Sequence, residues 1–266
     1  MSPAVFAAIV AEARKQGMAV IGHGVRAVGL PKALFEGQVM VAHAEEFLYT
    51  AFANRTDRDL IPGVAAETLR SGAYVTPTLA MYEAILKQWG RPEQVRLYLQ
   101  DRRARFMTPN VRGDWLNAQY ATAARQANSD DPILAFLREF TKALHDKGVP
   151  LLTGTDSPAV PGMYPGYSIH DELRALVEAG LTPYDALSAA TRVPGEFIAK
   201  TVPSAQRFGN VALGFRADLL LVEGDPVSSL DVLRNPLGVM KAGRWLTRAQ
   251  LTGLLEDRES KYEVVR

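Results

Sequence analysis

LLTGTDSP, at residues 151–158, has the pattern of an apolar strand that ends on a carboxylate, Asp156. Two earlier stretches end in the same way on a histidine: VIGH at residues 20–23 ends on His23, and VMVAH at residues 39–43 ends on His43. Side chains at the carboxyl ends of parallel strands face the mouth of the sheet or barrel, where α/β enzymes carry out their chemistry. Two imidazoles and a carboxylate are ligands that suit a divalent metal. The pattern therefore predicts a metal site.

The first 76 residues alternate between helix and strand patterns. The first helix has a capping Ser2 before Pro3, and its apolar spacing favours Val5, Ile9 and Ala13 as its buried face. The separation of His23 and His43 fits one βα repeat, which would place both side chains at one edge of the sheet. Three βα units are predicted, with helices over residues 3–15, 30–36 and 61–70 and strands over 18–22, 39–43 and 73–76.

The remaining chain has a helical insertion and a short-stranded tail. Residues 80–147 favour charged helices, and the clearest apolar stripe in them is formed by Ile133, Leu137, Phe140 and Leu144. Further helices are expected to begin at Ser168 and at Thr182–Pro183. Short strands are expected near residues 210–213, 218–223 and 239–246. We therefore expect a first domain over residues 1–205 and a second over residues 206–266.

Several segments of the second half of the chain carry a family resemblance. They are PGYSIHDEL at 165–173, EAGLTP at 178–183, ALSAAT at 186–191, GFRADLLLV at 214–222 and GDP at 224–226. Together with residues 1–50 and 149–156, they resemble the second half of the amidohydrolase superfamily, in the branch of imidazolonepropionase and prolidase-like enzymes. The resemblance implies an α/β fold: a partial TIM (β/α)8 barrel, roughly strands 5 to 8 with their helices, followed by β-strands of a small β-sandwich.

The family's first metal ligands have no counterpart here. Members carry a His-x-His pair on the first strand and a lysine, often carboxylated, on the fourth, whereas this chain has only His23, His43, His145 and His170. We therefore expect the carboxyl-terminal half of a metal-dependent hydrolase, whose activity requires the other half. The alternative is a non-catalytic scaffold or small-molecule binding module that has lost its metal centre.

The resemblance also implies a reaction. A divalent metal, most often zinc and in the complete family site a pair, would activate water to hydrolyse a carbon–nitrogen bond. Asp156 would contact the metal and act as the catalytic proton acceptor, with His23 and His43 as further metal ligands. Val25 stands where prolidase-like dipeptidases often have a tyrosine, which argues against a dipeptide substrate. An amide or cyclic amide then remains as substrate class, with other peptides left open.

Four residues are candidates for binding the small-molecule substrate: Arg26, Glu45, Tyr164 and His170. Arg26 could bind a carboxylate or be a surface arginine. Glu45 and the adjacent Glu46 could hold a cationic group, although solvated charges are favoured. Tyr164 lies in the loop before the helix at Ser168, and for His170 packing or capping is favoured over substrate contact. For His145 the favoured role is structural, in a last helical turn.

The composition of the chain limits which binding partners can be expected. The chain has 266 residues, 47% of them hydrophobic, which is enough for a substantial core. Its net charge of +1 gives no electrostatic reason to expect nucleic acid or an anionic membrane. No apolar run is long enough to span a bilayer, and disulfides are excluded because there is no cysteine. A homo-oligomer stays open. Localisation also stays open, because the chain as written suits the cytoplasm but a leader upstream of Met1 is conceivable.

Overall fold

A computed structural model describes residues 1–124 and 131–262 and divides the chain into two compact units. The first comprises Met1–Leu79, Pro132–Gly154 and Ala175–Phe215. The second comprises the described parts of Ala80–Asp131, Thr155–Arg174 and Arg216–Arg266. Each unit is thus assembled from three separate stretches of sequence, and the expected domain boundary at residue 205 stays a prediction.

The first unit is built on a parallel sheet. Strands β1 (Val20–Gly22), β2 (Gln38–Ala42) and β3 (Tyr74–Thr76) pair in chain order, and Leu151 adds a parallel bridge to Val75. The helices are α1 (Pro3–Lys15), α2 (Lys32–Glu36), α3 (Glu45–Tyr49), α4 (Ile61–Ser71), α8 (Pro132–Lys147), α10 (Pro183–Ala190) and α11 (Arg192–Thr201). The predicted βα alternation is therefore confirmed.

Helix α1 begins as predicted, but its buried face differs. The Ser2 hydroxyl accepts the Val5 N–H at 3.3 Å, and Pro3 occupies the first turn. Phe6 and Val10 are buried, whereas Val5 and Ile9 are exposed. The predicted stripe was thus wrong by one residue. Two sets of apolar residues share the same four-residue spacing, and the set that contains the larger phenylalanine is the one that packs.

The pairing of β1 with β2 contains an irregularity. Val20 lies opposite Gln38 and Ile21 lies opposite Met40, so Val39 is an extra residue in β2. Such a bulge leaves backbone groups without ladder partners. The buried Gln38 amide lies at this irregularity, where its Nε2 is within hydrogen-bond distance of the carbonyl oxygens of Gly22 (2.9 Å), His23 (3.0 Å) and Met40 (3.1 Å).

Aromatic rings form the centre of the first unit. Phe52 packs edge-on against Phe136 and Phe140 at 4.8 and 5.1 Å between ring centroids, and Phe47 lies 5.1 Å from Phe140. All four rings are fully buried. Within the predicted α8 stripe, Leu137, Phe140 and Leu144 are buried, which confirms that face of the helix. Aromatic packing of this kind stabilises beyond the area it buries.

The second unit combines helices with an antiparallel sheet. Strands β4 (Leu219–Leu221), β5 (Gly238–Lys241) and β6 (Arg244–Thr247) pair in order, and Ala242 and Gly243 form the β5–β6 turn with positive φ. Its helices are α5 (Leu79–Gln88), α6 (Pro92–Gln100), α7 (Pro109–Leu116), α9 (Ser168–Glu178) and α12 (Arg248–Tyr262), of which α5 begins and α9 ends in the first unit. Trp115 and Tyr164 are the largest members of its buried cluster.

The α/β class is confirmed, with one local correction. The strand expected over residues 210–213 is not formed. This stretch is irregular, and Val211 and Leu213 are exposed between the positive-φ Gly209 and Gly214. Whether the parallel strands belong to a half barrel, and the tail strands to a sandwich, stays a prediction. Among the residues that the structure describes, no helix is long and apolar enough to cross a membrane.

Candidate functional site

His43 lies directly after β2 and is buried. Its backbone N–H donates to the carbonyl oxygen of Thr76 at 2.8 Å, which fixes it to the end of β3. The ring Nδ1 lies 2.8 Å from the hydroxyl oxygen of Thr78. His43 and Thr78 both have positive φ, 74° and 53°. For a β-branched residue such as Thr78, a positive φ is a strained conformation, and such conformations cluster at functional sites.

His23 occupies the matching place after β1. Its Nδ1 lies 2.8 Å from Oε1 of Glu46, and its side chain is 68% exposed, whereas that of Glu46 is 7% exposed. The rings of His23 and His43 meet edge to face, with 4.6 Å between centroids and 64° between planes. The structure therefore brings together two of the three predicted metal ligands, as expected for neighbouring strand ends.

Glu45 and Glu46 are not solvated charges. Both are buried, at 8% and 5% exposure, in the first turn of α3. Negative charge is favourable at that end of a helix. Oε2 of Glu46 has no hydrogen-bond partner within residues 1–124 and 131–262. The expectation of solvated carboxylates was therefore wrong, because both side chains are buried in the protein at the start of α3. The substrate role of Glu45 stays a prediction.

Arg26 lies beside an open groove at the β1 edge. The groove has a volume of about 660 Å³, and its lining includes Ile21, His23, Arg26 and Glu46. The Arg26 guanidinium stacks over the ring of Tyr49 at 4.4 Å from its centroid. This cation–π contact holds an exposed arginine at the rim. Binding of a substrate carboxylate by Arg26 stays a prediction.

Asp156 belongs to the second unit. It is exposed, has a φ of 50°, and lines a cavity of about 320 Å³ together with Asp114, Trp115 and Pro158. The indole N–H of Trp115 donates to the carbonyl oxygen of Pro158 at 2.8 Å, which fixes the loop that follows Asp156. Across the described ranges, no group of three or more His, Asp or Glu side chains is arranged to hold a metal.

Tyr164 and His170 are in the second unit too. The Tyr164 hydroxyl donates to the carbonyl oxygen of Tyr98 at 2.7 Å, and its ring lies under the Arg103 guanidinium. Burial raises the pKa of Tyr164. His170 is half-buried in the first turn of α9, where burial, followed by the nearby Arg234, lowers its pKa. Their substrate-binding roles stay predictions, although its contacts give Tyr164 a packing role.

The first unit also contains His145, Gln38 and Thr78. His145 lies in the last turn of α8, and its Nε2 lies 3.4 Å from Asp185, which agrees with a structural role. Gln38 and Thr78 were missed, although both contact the backbone or ring of a predicted ligand. A glutamine that begins an apolar strand and a threonine directly after a strand-ending proline are the signals that could have found them.

This fold gathers polar side chains at the carboxyl ends of parallel strands, the arrangement of α/β barrel enzymes. The chain belongs to the amidohydrolase family, whose model matches residues 1–246. The predicted superfamily is thereby confirmed, and similar folds occur among prolidase-like structures. A comparison with curated proteins gave no significant match.

Three solved structures illustrate the similarity. A bottromycin amidohydrolase is 25% identical with a TM-score of 0.66, over 99% of this chain and 57% of its own. A Xaa-Pro dipeptidase with bound methionine in the active site is 21% identical with a TM-score of 0.58, over 91% and 48%. The ochratoxinase of A. niger is 20% identical with a TM-score of 0.57, over 93% and 46%. The chain therefore spans about half the length of these structures.

Proposed function

We propose that the polypeptide to which this chain belongs hydrolyses carbon–nitrogen bonds with the help of a divalent metal. The proposed substrate is an amide or a cyclic amide, and peptides other than dipeptides remain open as substrates. The observation that carries the proposal is the His23–His43 pair at neighbouring strand ends. Membership of the amidohydrolase family supports it. So does the similarity in fold to a bottromycin amidohydrolase and a Xaa-Pro dipeptidase.

The two histidines fit a metal of the zinc class. Each ring has an oxygen 2.8 Å from its Nδ1, and histidines that bind metals are commonly oriented by such a hydrogen bond. His23 and His43 would supply two imidazoles, and Asp156 is proposed as a further ligand. When bound, such a metal polarises the carbonyl under attack and makes water a stronger acid. The chain spans about half of its neighbours, so we propose that the remaining ligands, and full activity, require the other half.

The chain's own residues would have separate tasks. Asp156 would accept the proton of the attacking water and deliver it to the leaving nitrogen. Arg26 would bind a substrate carboxylate, and Glu45 a cationic group. Tyr164 and His170 would contribute contacts to the small-molecule substrate.

Metal content tests the site directly. We expect the isolated chain to bind zinc weakly, since two imidazoles alone make an incomplete site. After equilibrium dialysis, zinc per chain should fall in His23→Ala and His43→Ala, and it should be unchanged in His145→Ala, the matched control. Equal zinc in all four proteins would exclude the pair as ligands. Tight, stoichiometric zinc with robust amide hydrolysis by the isolated chain would show instead that no further half is needed.

Activity tests the role of Asp156 in the complete protein. Asp156→Asn keeps the size and removes the proton acceptor, so kcat should fall by at least about 100-fold with little change in KM. An unchanged kcat would remove Asp156 from the mechanism.

The non-catalytic alternative has one observation in its favour, the absence of a three-ligand group among the described residues. It predicts that neither zinc binding nor hydrolysis appears when the other half is supplied.

A further inference from the structure

A cavity of the second unit combines two acidic residues with an apolar wall. Its volume of about 320 Å³ is at the small end of the range for ligand sites. The acidic residues are Asp114 of α7 and Asp156. The wall is apolar and includes Val111, Trp115, Pro158 and Pro161. Among the described residues that line the cavity, no lysine, arginine or histidine balances the two carboxylates. The lining therefore suits a small molecule that joins an apolar body to a positive charge.

Hydrogen bonds hold the wall of this cavity in place. The Trp115 side chain is buried, and its indole N–H is bonded to the carbonyl oxygen of Pro158. The hydroxyl of Ser157, the residue after Asp156, donates to the carbonyl oxygen of Met163 at 2.7 Å. The loop that carries Asp156 is thus tied both to α7 and to its own far end. A preformed cavity of this kind loses little conformational freedom when a ligand binds.

Asp114 makes no contact that would explain an acid at its position. It is exposed and lies in the last turn of α7, where a negative charge opposes the helix dipole. Within residues 1–124 and 131–262 its carboxylate has neither a hydrogen bond nor an ion pair. The Asp114 carboxylate therefore adds no stabilising contact to the fold and is free to meet a ligand.

The role proposed for Asp156 identifies the part of the substrate that this cavity would receive. In the hydrolysis, the water oxygen bonds to the carbonyl carbon, the carbon–nitrogen bond breaks, and Asp156 passes the proton of the water to the leaving nitrogen. The leaving nitrogen must then lie within about 3 Å of the Asp156 carboxylate. An aliphatic amine is positively charged at neutral pH once released, since the pKa of such a group, as in lysine, is about 10.

We propose that the cavity beside Asp156 binds the leaving amine of the substrate and that Asp114 selects a small, apolar amine without a carboxylate. The identity of the ligand as a leaving group rests on the proposed function. A leaving amino acid would bring its carboxylate into a cavity lined by two aspartates, where like charges repel. Amides of simple amines are thus the preferred substrates, and peptide bonds to a carboxyl-terminal amino acid are disfavoured.

The indole N–H of Trp115 reports binding in the 266-residue chain. Labelling with ¹⁵N-tryptophan gives three indole signals, and Trp89→Phe and Trp245→Phe assign that of Trp115 by elimination. The probes share a benzyl body: benzylamine is cationic at pH 7, benzyl alcohol is neutral and phenylacetate is anionic. We expect benzylamine to shift the Trp115 signal saturably, benzyl alcohol to act more weakly and phenylacetate to have no effect. No response to benzylamine, or an equal response to phenylacetate, would overturn the proposal.

A charge-removing variant tests Asp114 itself. Asp114→Asn keeps the size of an exposed side chain, so the fold should be retained. Exposed ion pairs are weak, so the Kd for benzylamine should rise by about 2–5-fold while that for benzyl alcohol stays unchanged. Asp257→Asn is the matched control, because Asp257 is an exposed aspartate of the second unit that does not line the cavity. An equal rise in both variants, or no rise in Asp114→Asn, would remove Asp114 from the site.

Substrate choice by the complete polypeptide separates this inference from the proposed function. Two amides with the same acyl group are compared, one that releases benzylamine and one that releases phenylalanine. We expect a higher kcat/KM for the benzylamide, and Asp114→Asn should narrow the ratio by about 2–5-fold. Faster release of phenylalanine would overturn the inference and support the proposed function. Binding of benzylamine without hydrolysis of either amide would contradict the proposed function and leave the cavity as a binding site for small amines.

Discussion

The two sheets have similarly apolar strands but very different surroundings. In the parallel sheet of the first unit, Val41 and Val75 are completely buried. In the antiparallel sheet of the second unit, Leu220, Leu221 and Trp245 are 46%, 51% and 40% exposed. Burial of a strand therefore depends on the helices that cover it, and its own hydrophobicity does not ensure it. Only β2 and β3 are covered in this way, because Ile21 on β1 is 53% exposed. The histidine pair thus joins a covered position, His43, to an open sheet edge, at His23.

The largest expected effect contrasts the two cores. Phe140→Ala removes a fully buried ring that contacts two other phenylalanines, and it should lower the free energy of unfolding by about 3–5 kcal/mol. Trp245→Ala should cost clearly less because the indole is already partly solvated. Urea unfolding followed by circular dichroism compares them. Equal losses would mean that the second sheet is as well supported as the first.

Self-association is expected through the exposed strands. The isolated chain should run larger than a monomer in size-exclusion chromatography with light scattering, since uncovered apolar edges pair with one another. Ile21→Lys on β1 and Leu220→Lys on β4 place a charge on one sheet each, and the more effective substitution identifies the sheet responsible. A wild-type chain that is monomeric at all concentrations would contradict this prediction.

The buried carboxylate of Glu172 is expected to contribute more to the stability of the second unit than the exposed side chains of its sheet do. Oε2 of the fully buried Glu172 accepts the backbone N–H of Ala80 at 2.7 Å. Glu172→Ala leaves that donor without its acceptor, which should cost about 1–3 kcal/mol. Glu172→Gln keeps an accepting oxygen and is the matched control. Hydrogen exchange at Ala80 should accelerate in the alanine variant, and an unchanged rate would show that this contact is dispensable.

The smallest expected effect is a loss of stability at alkaline pH. Burial raises the pKa of Tyr98 to about 12. The unfolded chain loses this proton near pH 10 and the folded chain retains it, so the stabilisation is complete below pH 10 and disappears as the pH approaches 12. Unfolding measured from pH 9 to 12 should show the decline, and Tyr98→Phe should reduce its slope. An identical slope in the variant would assign the effect to other groups.

Local sequence patterns were sufficient to predict much of the fold and the proximity of His23 and His43. Ser2 caps α1 and Thr182 caps α10 because capping depends on residues three positions apart. His23 and His43 could be placed together because strand ends in a parallel sheet share one edge. The two strand ends themselves were recognisable from their apolar runs alone.

Features that depend on long-range contacts could not be predicted from local sequence patterns. The contact of Glu46 with His23 and that of Thr78 with His43 join residues 23 and 35 positions apart, and no local pattern predicts such pairs. The extra residue Val39 likewise becomes visible only when β1 and β2 are paired. Residues 210–213 alternate like a strand but have no neighbouring strand with which to pair, so propensity alone was misleading there.

The bulge at Val39 also limits which changes in chain length the protein can tolerate. Side chains alternate across a strand, so deleting Met40, Val41 or Ala42 would turn the side chains that follow, up to His43, to the opposite face. Val39 is different, because without it Gln38 and Met40 would still lie opposite Val20 and Ile21. Deletion at position 39 should therefore be better tolerated than deletion elsewhere in β2. In a library of single-residue deletions, folded variants should be recovered at position 39 and be depleted at positions 40–42.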